Sequence, residues 1–69
     1  MTQKELLYVE DAIGHESNII SILDMTINSL EEDNLVTFLQ KELKGHKAMK
    51  EKFIKMLEGC SNEWSIING

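Results

Sequence analysis

Three side chains from the two halves of this chain could together bind a metal ion: Glu16, Glu42 and His46. Carboxylates and imidazoles from facing helices are the ligands of di-iron carboxylate sites in four-helix bundles. Glu16 interrupts one apolar helical pattern and His46 interrupts another. The same interruptions also fit a plain hydrogen bond between Glu16 and His46 that fixes the register of two helices. The sequence leaves both interpretations open.

The spacing around His46 departs from the di-iron motif. That motif is Glu-x-x-His, which places both side chains on one helix face, one turn apart. Here Leu43 stands three residues before His46, and Glu42 stands four residues before it. A two-fold dimer would still supply four carboxylates and two imidazoles, from two copies each of Glu16, Glu42 and His46. Because the Glu-x-x-His spacing is absent, we expect no cofactor. The alternative is iron or another divalent transition metal bound at these residues.

The first element that must position these groups is a helix predicted over about residues 3–30. Thr2 and Glu5 have the spacing of a capping box at its start. Apolar residues recur at alternating intervals of three and four, and Glu16 fills the one missing position. This stripe comprises Leu6, Val9, Ile13, Ile20, Leu23, Ile27 and Leu30.

The second element is a helix predicted over about residues 35–58, with Gly59 as its stop and residues 60–69 as an irregular tail. Two neighbouring stripes fit its inward face. His46 lies on both and is predicted to point inward, whereas Glu42 lies on one. The first stripe is Leu35, Leu39, Glu42, His46, Met49, Phe53 and Met56; the second is Val36, Leu39, Leu43, His46, Lys50, Phe53 and Leu57.

The short polar turn at residues 31–34 predicts an all-α antiparallel hairpin over residues 1–59. Glycines at positions 14 and 45 lie beside the polar level, where they suggest close backbone approach or room for a guest. Apolar stripes this wide exceed what two helices can cover. The sequence therefore predicts a homodimer in which two hairpins form a four-helix bundle.

Charge and composition exclude several function classes. The net charge is −5, with eight acids against one lysine in residues 1–33 and six lysines against three acids in residues 34–58. Arginine is absent, so we expect no nucleic-acid partner. Neither a secretion signal nor an apolar run of membrane-spanning length is present, which predicts a cytoplasmic protein without membrane insertion. Cys60, the one cysteine, is then a free thiol.

No constellation typical of an enzyme is found. Cys60 has no histidine or carboxylate at a suggestive spacing, and neither histidine accompanies a nucleophile. A glycine-rich phosphate loop is missing as well. We expect a protein without catalytic residues, with a metal-dependent oxidoreductase as the alternative.

The segment Lys4-Glu5-Leu6-Leu7-Tyr8-Val9-Glu10-Asp11-Ala12-Ile13 resembles the first helix of the small coat F-type spore coat proteins. The segment from Leu39 to Leu57 is similar to their second helix, and the likeness spans about residues 3–58. That family is related to the ferritin-like bundles, of which rubrerythrin is a metal-binding member. On the ferritin-like pattern, Glu16 and His46 fall at ligand positions, but Leu43 falls where a glutamate should stand.

The resemblance implies a ferritin-like half-bundle with an incomplete metal site, and a structural role in sporulation. Its location would be the spore coat, with other coat or scaffold proteins as further partners. The leading hypothesis is thus a non-enzymatic dimeric structural protein. One alternative is a di-metal carboxylate protein with ferritin- or rubrerythrin-like storage or peroxide chemistry. Another is a small sporulation regulatory hairpin, similar in size to phosphatases of response regulators, although their Ser-Gln-x-Leu-Asp signature is absent.

Overall fold

The protein is a hairpin of two helices that pack against each other. The computed structural model describes the backbone of residues 1–68 and the side chains of residues 1–59. Helix α1 spans Gln3–Ser29 and helix α2 spans Asp33–Asn68. The predicted all-α hairpin is confirmed. Across the described residues, neither helix has an apolar stretch that could cross a bilayer.

The capping box at the start of α1 is confirmed. The Glu5 backbone N–H donates to Thr2 Oγ1 at 3.1 Å, and the Thr2 N–H donates to Glu5 Oε1 at 2.9 Å. These bonds occupy backbone donors that have no partner within the helix. The hydrogen bonds from the Thr2 backbone and hydroxyl hold the pKa of Glu5 below its ordinary value.

The turn is shorter than predicted. Leu30 is extended, with φ −95° and ψ 145°, and its N–H donates to the Ile27 carbonyl at 3.3 Å. Helix α2 then begins at Asp33, and the Val36 N–H donates to the Glu32 carbonyl at 3.0 Å. Asp33 therefore lies within the first turn, where a carboxylate is favoured by the helix dipole.

The predicted end of helix 2 at Gly59 and the irregular tail are wrong, because α2 continues to Asn68. Gly59 does not adopt the positive φ that ends a helix in a glycine cap. A glycine in helical conformation costs about 1 kcal/mol but does not stop the helix, and no proline follows. The side chains of Cys60 and Trp64 lie outside the described ones.

The contact between the helices, here called the seam, follows the second of the two predicted stripes of α2. No side chain of residues 1–59 is fully buried, so the half-buried positions mark the contact. On α1 the half-buried residues include the whole predicted stripe with Glu16. On α2 they are Val36, Leu39, Leu43, His46, Lys50, Phe53, Ile54 and Leu57.

The seam leaves the hairpin with two different sides. If seam residues are heptad positions a and d, positions g and c lie along one edge of each helix and e and b along the other. Two antiparallel helices are related by a two-fold axis perpendicular to both, so equivalent edges share a side. We name the g and c side the open side: Tyr8, Ala12, His15, Ile19, Ile22 and Thr26 with Leu35, Phe38, Glu42, Gly45, Met49, Lys52 and Met56.

The opposite side, at positions e and b, is the charged side. It carries two acids on α1 and two lysines and two glutamates on α2, with mostly small or polar residues between them. Its residues are Leu7, Glu10, Gly14, Ser17, Ser21, Asp24 and Asn28 with Thr37, Gln40, Lys44, Lys47, Glu51, Ile54 and Glu58.

Candidate functional site

A hydrogen-bonded pair of polar side chains lies at the middle of the seam. His46 Nδ1 stands 2.6 Å from Glu16 Oε2. A carboxylate can only accept, so the imidazole N–H is the donor. The Glu16 side chain is 15% exposed and that of His46 is 33% exposed. The prediction that these two residues point inward and meet is confirmed.

The pair interrupts an otherwise apolar contact. On α1, Ile13 and Ile20 occupy the seam positions on either side of Glu16, and both are half-buried. A carboxylate there needs a hydrogen-bond donor, because an unpaired polar group in such a place costs more than a paired one contributes. Only one register of α1 on α2 supplies that donor from His46, so the pair selects this register.

Glu42, the third residue predicted as a possible metal ligand, is not part of the Glu16–His46 pair. Glu42 is exposed and lies on the open side, because the stripe on which it would point inward is not the one that packs. In the part of the chain with described side chains, no three His, Cys, Asp or Glu residues lie close enough to share a metal ion. A metal at Glu16, Glu42 and His46 would require a second copy, and it stays a prediction.

Helices α1 and α2 do not approach each other closely at the two glycines beside the polar pair. A Cβ atom built at Gly14 or at Gly45 would meet no atom within 4 Å. Of the two predicted explanations, close approach of α1 to α2 at these positions is therefore wrong, and room for a guest stays a prediction. Gly14 lies on the charged side and Gly45 on the open side, so each faces space that a second molecule could occupy.

The largest feature that could serve function is the open side itself. Among residues 1–59, seven of the ten large exposed apolar side chains lie along it; Met1, Leu7 and Met25 are elsewhere. Tyr8, Ile22 and Phe38 are each about 60% exposed. Apolar strips of this kind are common where proteins contact other molecules, which makes the open side a candidate interaction surface.

Sequence reasoning predicted an uncovered apolar stripe but missed which side would carry it. The signal was present in the heptad pattern. Once Val36, Leu39 and Leu43 are assigned to the seam, the residues Leu35 and Phe38 fall at one edge of it. The two-fold relation of an antiparallel pair then places them on the same side as Ile19 and Ile22.

The chain matches no protein-family model, no curated protein and no solved structure.

Proposed function

We propose that this protein is a non-enzymatic structural module that acts as a homodimer. Two hairpins would pack their open sides together to form a four-helix bundle. The observation that carries this proposal is the concentration of exposed apolar side chains on one side of the hairpin. A hairpin alone leaves that surface in water, whereas burial of apolar area is favourable by about 25 cal/mol per Å².

The size of the open side supports a stable partner. Helix α1 has 27 residues, which makes it about 40 Å long. Two packed helices are about 18 Å across. Each hairpin would then contribute on the order of 700 Å², and two copies fall in the range of specific protein interfaces.

In this proposal, the Glu16–His46 pair fixes the register within each hairpin. The 2.6 Å bond fixes how α1 and α2 are aligned along their length, and therefore which apolar residues stand level with each other on the open side. A slip by one helical turn would leave the half-buried Glu16 carboxylate without its donor.

The resemblance to coat F-type proteins suggests where such a module would assemble. A dimer made in the cytoplasm of a sporulating cell would join other coat or scaffold proteins in the spore coat. No ligand chemistry is needed for this role, because the bundle itself is the building unit.

Sedimentation equilibrium tests the proposal. At micromolar concentration we expect a mass near twice 7.9 kDa. Ile22→Glu places a charge on the open side and should give the monomer. Ser21→Glu is the matched control, since the neighbouring residue lies on the charged side, and it should remain a dimer. A folded helical monomer of the unsubstituted chain would contradict the proposal.

The contact between Glu16 and His46 also favours a second candidate, a metal-binding dimer. Two copies would supply Glu16, Glu42 and His46 twice, and iron or another divalent transition metal would be the cargo or the redox centre. Elemental analysis of the purified dimer separates the candidates. Stoichiometric metal that is lost in His46→Ala, with the dimer intact, would establish the second candidate over the first.

A further inference from the structure

We infer that the two copies pack head to tail, with their turns at opposite ends of the bundle and Glu42 of each copy against Lys52 of the other. This inference rests on the proposed dimer and specifies its geometry. It follows from the positions of the charged residues on the open side.

The open side carries few charges. Between residues 6 and 59, its only permanently charged side chains are Glu42 and Lys52, both on α2. Every other charge of the two helices in this range lies in the seam, on the charged side or on the outer back. When a second copy covers the open side, these two side chains lose water and need partners.

A head-to-tail dimer gives each of these charges a partner. It places α2 antiparallel to α2 of the second copy. Glu42 and Lys52 stand five residues on either side of position 47. A two-fold axis at that level therefore brings each Glu42 opposite Lys52 of the other copy, twice per dimer.

The same register also matches the shapes of the uncharged residues. Around position 47, Phe38 meets Met56 of the second copy, which pairs two exposed apolar side chains. Gly45 meets Met49 of the second copy. The space in front of Gly45, where a Cβ would find no atom within 4 Å, is then filled by a flexible methionine.

Helix α1 tolerates this arrangement although it is acidic. It would pack antiparallel to α1 of the second copy through Tyr8, Ile19 and Ile22. Its acids at Glu10 and Asp24 lie on the charged side and are turned away from that contact. The edge of α1 that meets its counterpart has no permanent charge between residues 6 and 29.

The other two-fold dimer, with both turns at the same end, fits less well. It places α2 against α1 of the second copy. Glu42 then faces the stretch around Ile19 and Ile22, and Lys52 faces the stretch around Tyr8. The attraction of acidic α1 for basic α2 favours this dimer, but those charges are exposed and screened by salt. The free-energy cost of removing Glu42 and Lys52 of each copy from water without a partner is larger than the gain from that attraction.

Charge reversal tests the pairing. Glu42→Lys and Lys52→Glu should each raise the dimer dissociation constant by roughly tenfold or more, because each creates two like-charge contacts. The double variant Glu42→Lys/Lys52→Glu should recover most of the affinity. Lys44→Glu, on the charged side, is the control and should leave it unchanged. Failure of the double variant to recover would overturn the pairing, and circular dichroism checks that all variants stay helical.

The distance between the turns tests the orientation. A spin label at Asn34→Cys in a Cys60→Ser background reports the separation of the two turns by electron double resonance. Head-to-tail packing predicts about 40 Å, since position 34 is thirteen helical residues from the axis level. Packing with the turns together predicts about 25 Å or less. A dimer with the short distance would overturn this inference but keep the proposed function, whereas a monomer would overturn both.

Discussion

The open side and the charged side of the hairpin are built on the same two helices and the same seam, yet they differ in almost every outward residue. The open side presents Ile19, Ile22, Leu35 and Phe38 to solvent. The charged side presents acids from α1, and both lysines and glutamates from α2, at equivalent positions beside the seam.

This difference separates two roles that one helix surface can have. On the charged side an ion pair contributes little: Glu51 lies 3.7 Å from Lys55 of the outer back, and both side chains are about 70% exposed. Residues of the open side contribute little to an isolated hairpin, because the seam does not cover them. Their apolar character is what the proposed dimer would use.

The largest expected contrast between the sides is in methionine oxidation. Met49 and Met56 lie on the open side, whereas Met25 lies on the outer back of α1. Their exposed fractions in one hairpin, 44%, 53% and 71%, differ by less than twofold. In a dimer, peroxide should oxidise Met25 roughly tenfold faster or more, because the interface excludes solvent from the other two. Mass spectrometry of peptides measures the oxidation rates. Equal rates for the three methionines would show that Met49 and Met56 are not covered by a second copy.

The next effect concerns the seam that both sides share. Glu16→Ala should lower the free energy of unfolding by about 1–3 kcal/mol, because His46 loses the acceptor of its hydrogen bond. Glu10→Ala is the matched control on the charged side and should change stability by about 0.5 kcal/mol or less. Urea titration at fixed protein concentration measures both. Equal losses would show that Glu16 has no special part in the hairpin.

The two helical glycines offer a smaller test. Gly14→Ala should raise the free energy of unfolding by about 0.5–1 kcal/mol, since a Cβ there meets no atom within 4 Å. Gly45→Ala should give less than this in the dimer, because its Cβ would enter the space of Met49 from the second copy. Thermal unfolding of both variants at one concentration provides the comparison. A full gain at Gly45 would argue against a close contact there.

The smallest effect is expected at the N-terminal cap, which belongs to neither side. The pKa of Glu5 is lowered from an ordinary value of 4.5 by its bonds to Thr2. A carboxyl with a lowered pKa stabilises the fold above its unfolded-state pKa, and this stabilisation is lost as the pH falls through the folded-state value. The start of α1 should therefore fray below about pH 4.5.

Amide hydrogen exchange at Thr2 and Glu5 measures this fraying. Glu5→Gln keeps the capping geometry but has no charge to lose, so its exchange rates should lack the extra rise at low pH. Identical pH profiles for the two proteins would rule out a part for the carboxylate.

The sequence by itself determined the helices and most of their contact. The alternation of three and four residues predicted the stripe of α1, and the spacing of Thr2 and Glu5 predicted its cap. The short polar turn predicted the hairpin, and the gap at Glu16 predicted the meeting with His46. These features depend on local periodicity and on nearby hydrogen bonds, which a sequence displays directly.

Only the tertiary structure decided which of two neighbouring stripes of α2 forms the seam, and thus whether Glu42 points inward or outward. Both stripes satisfy the helical period, and they differ by a small rotation of the helix. Each stripe holds five apolar residues and one charged residue besides His46, so a count along the sequence does not separate them. In the structure the stripe through Val36, Leu43 and Leu57 packs against α1, and His46 reaches Glu16. The same rotation places Leu35, Glu42 and Met49 on one exposed side. The end of α2 was also decided only by the structure, because a glycine such as Gly59 permits a helix to end without forcing it to.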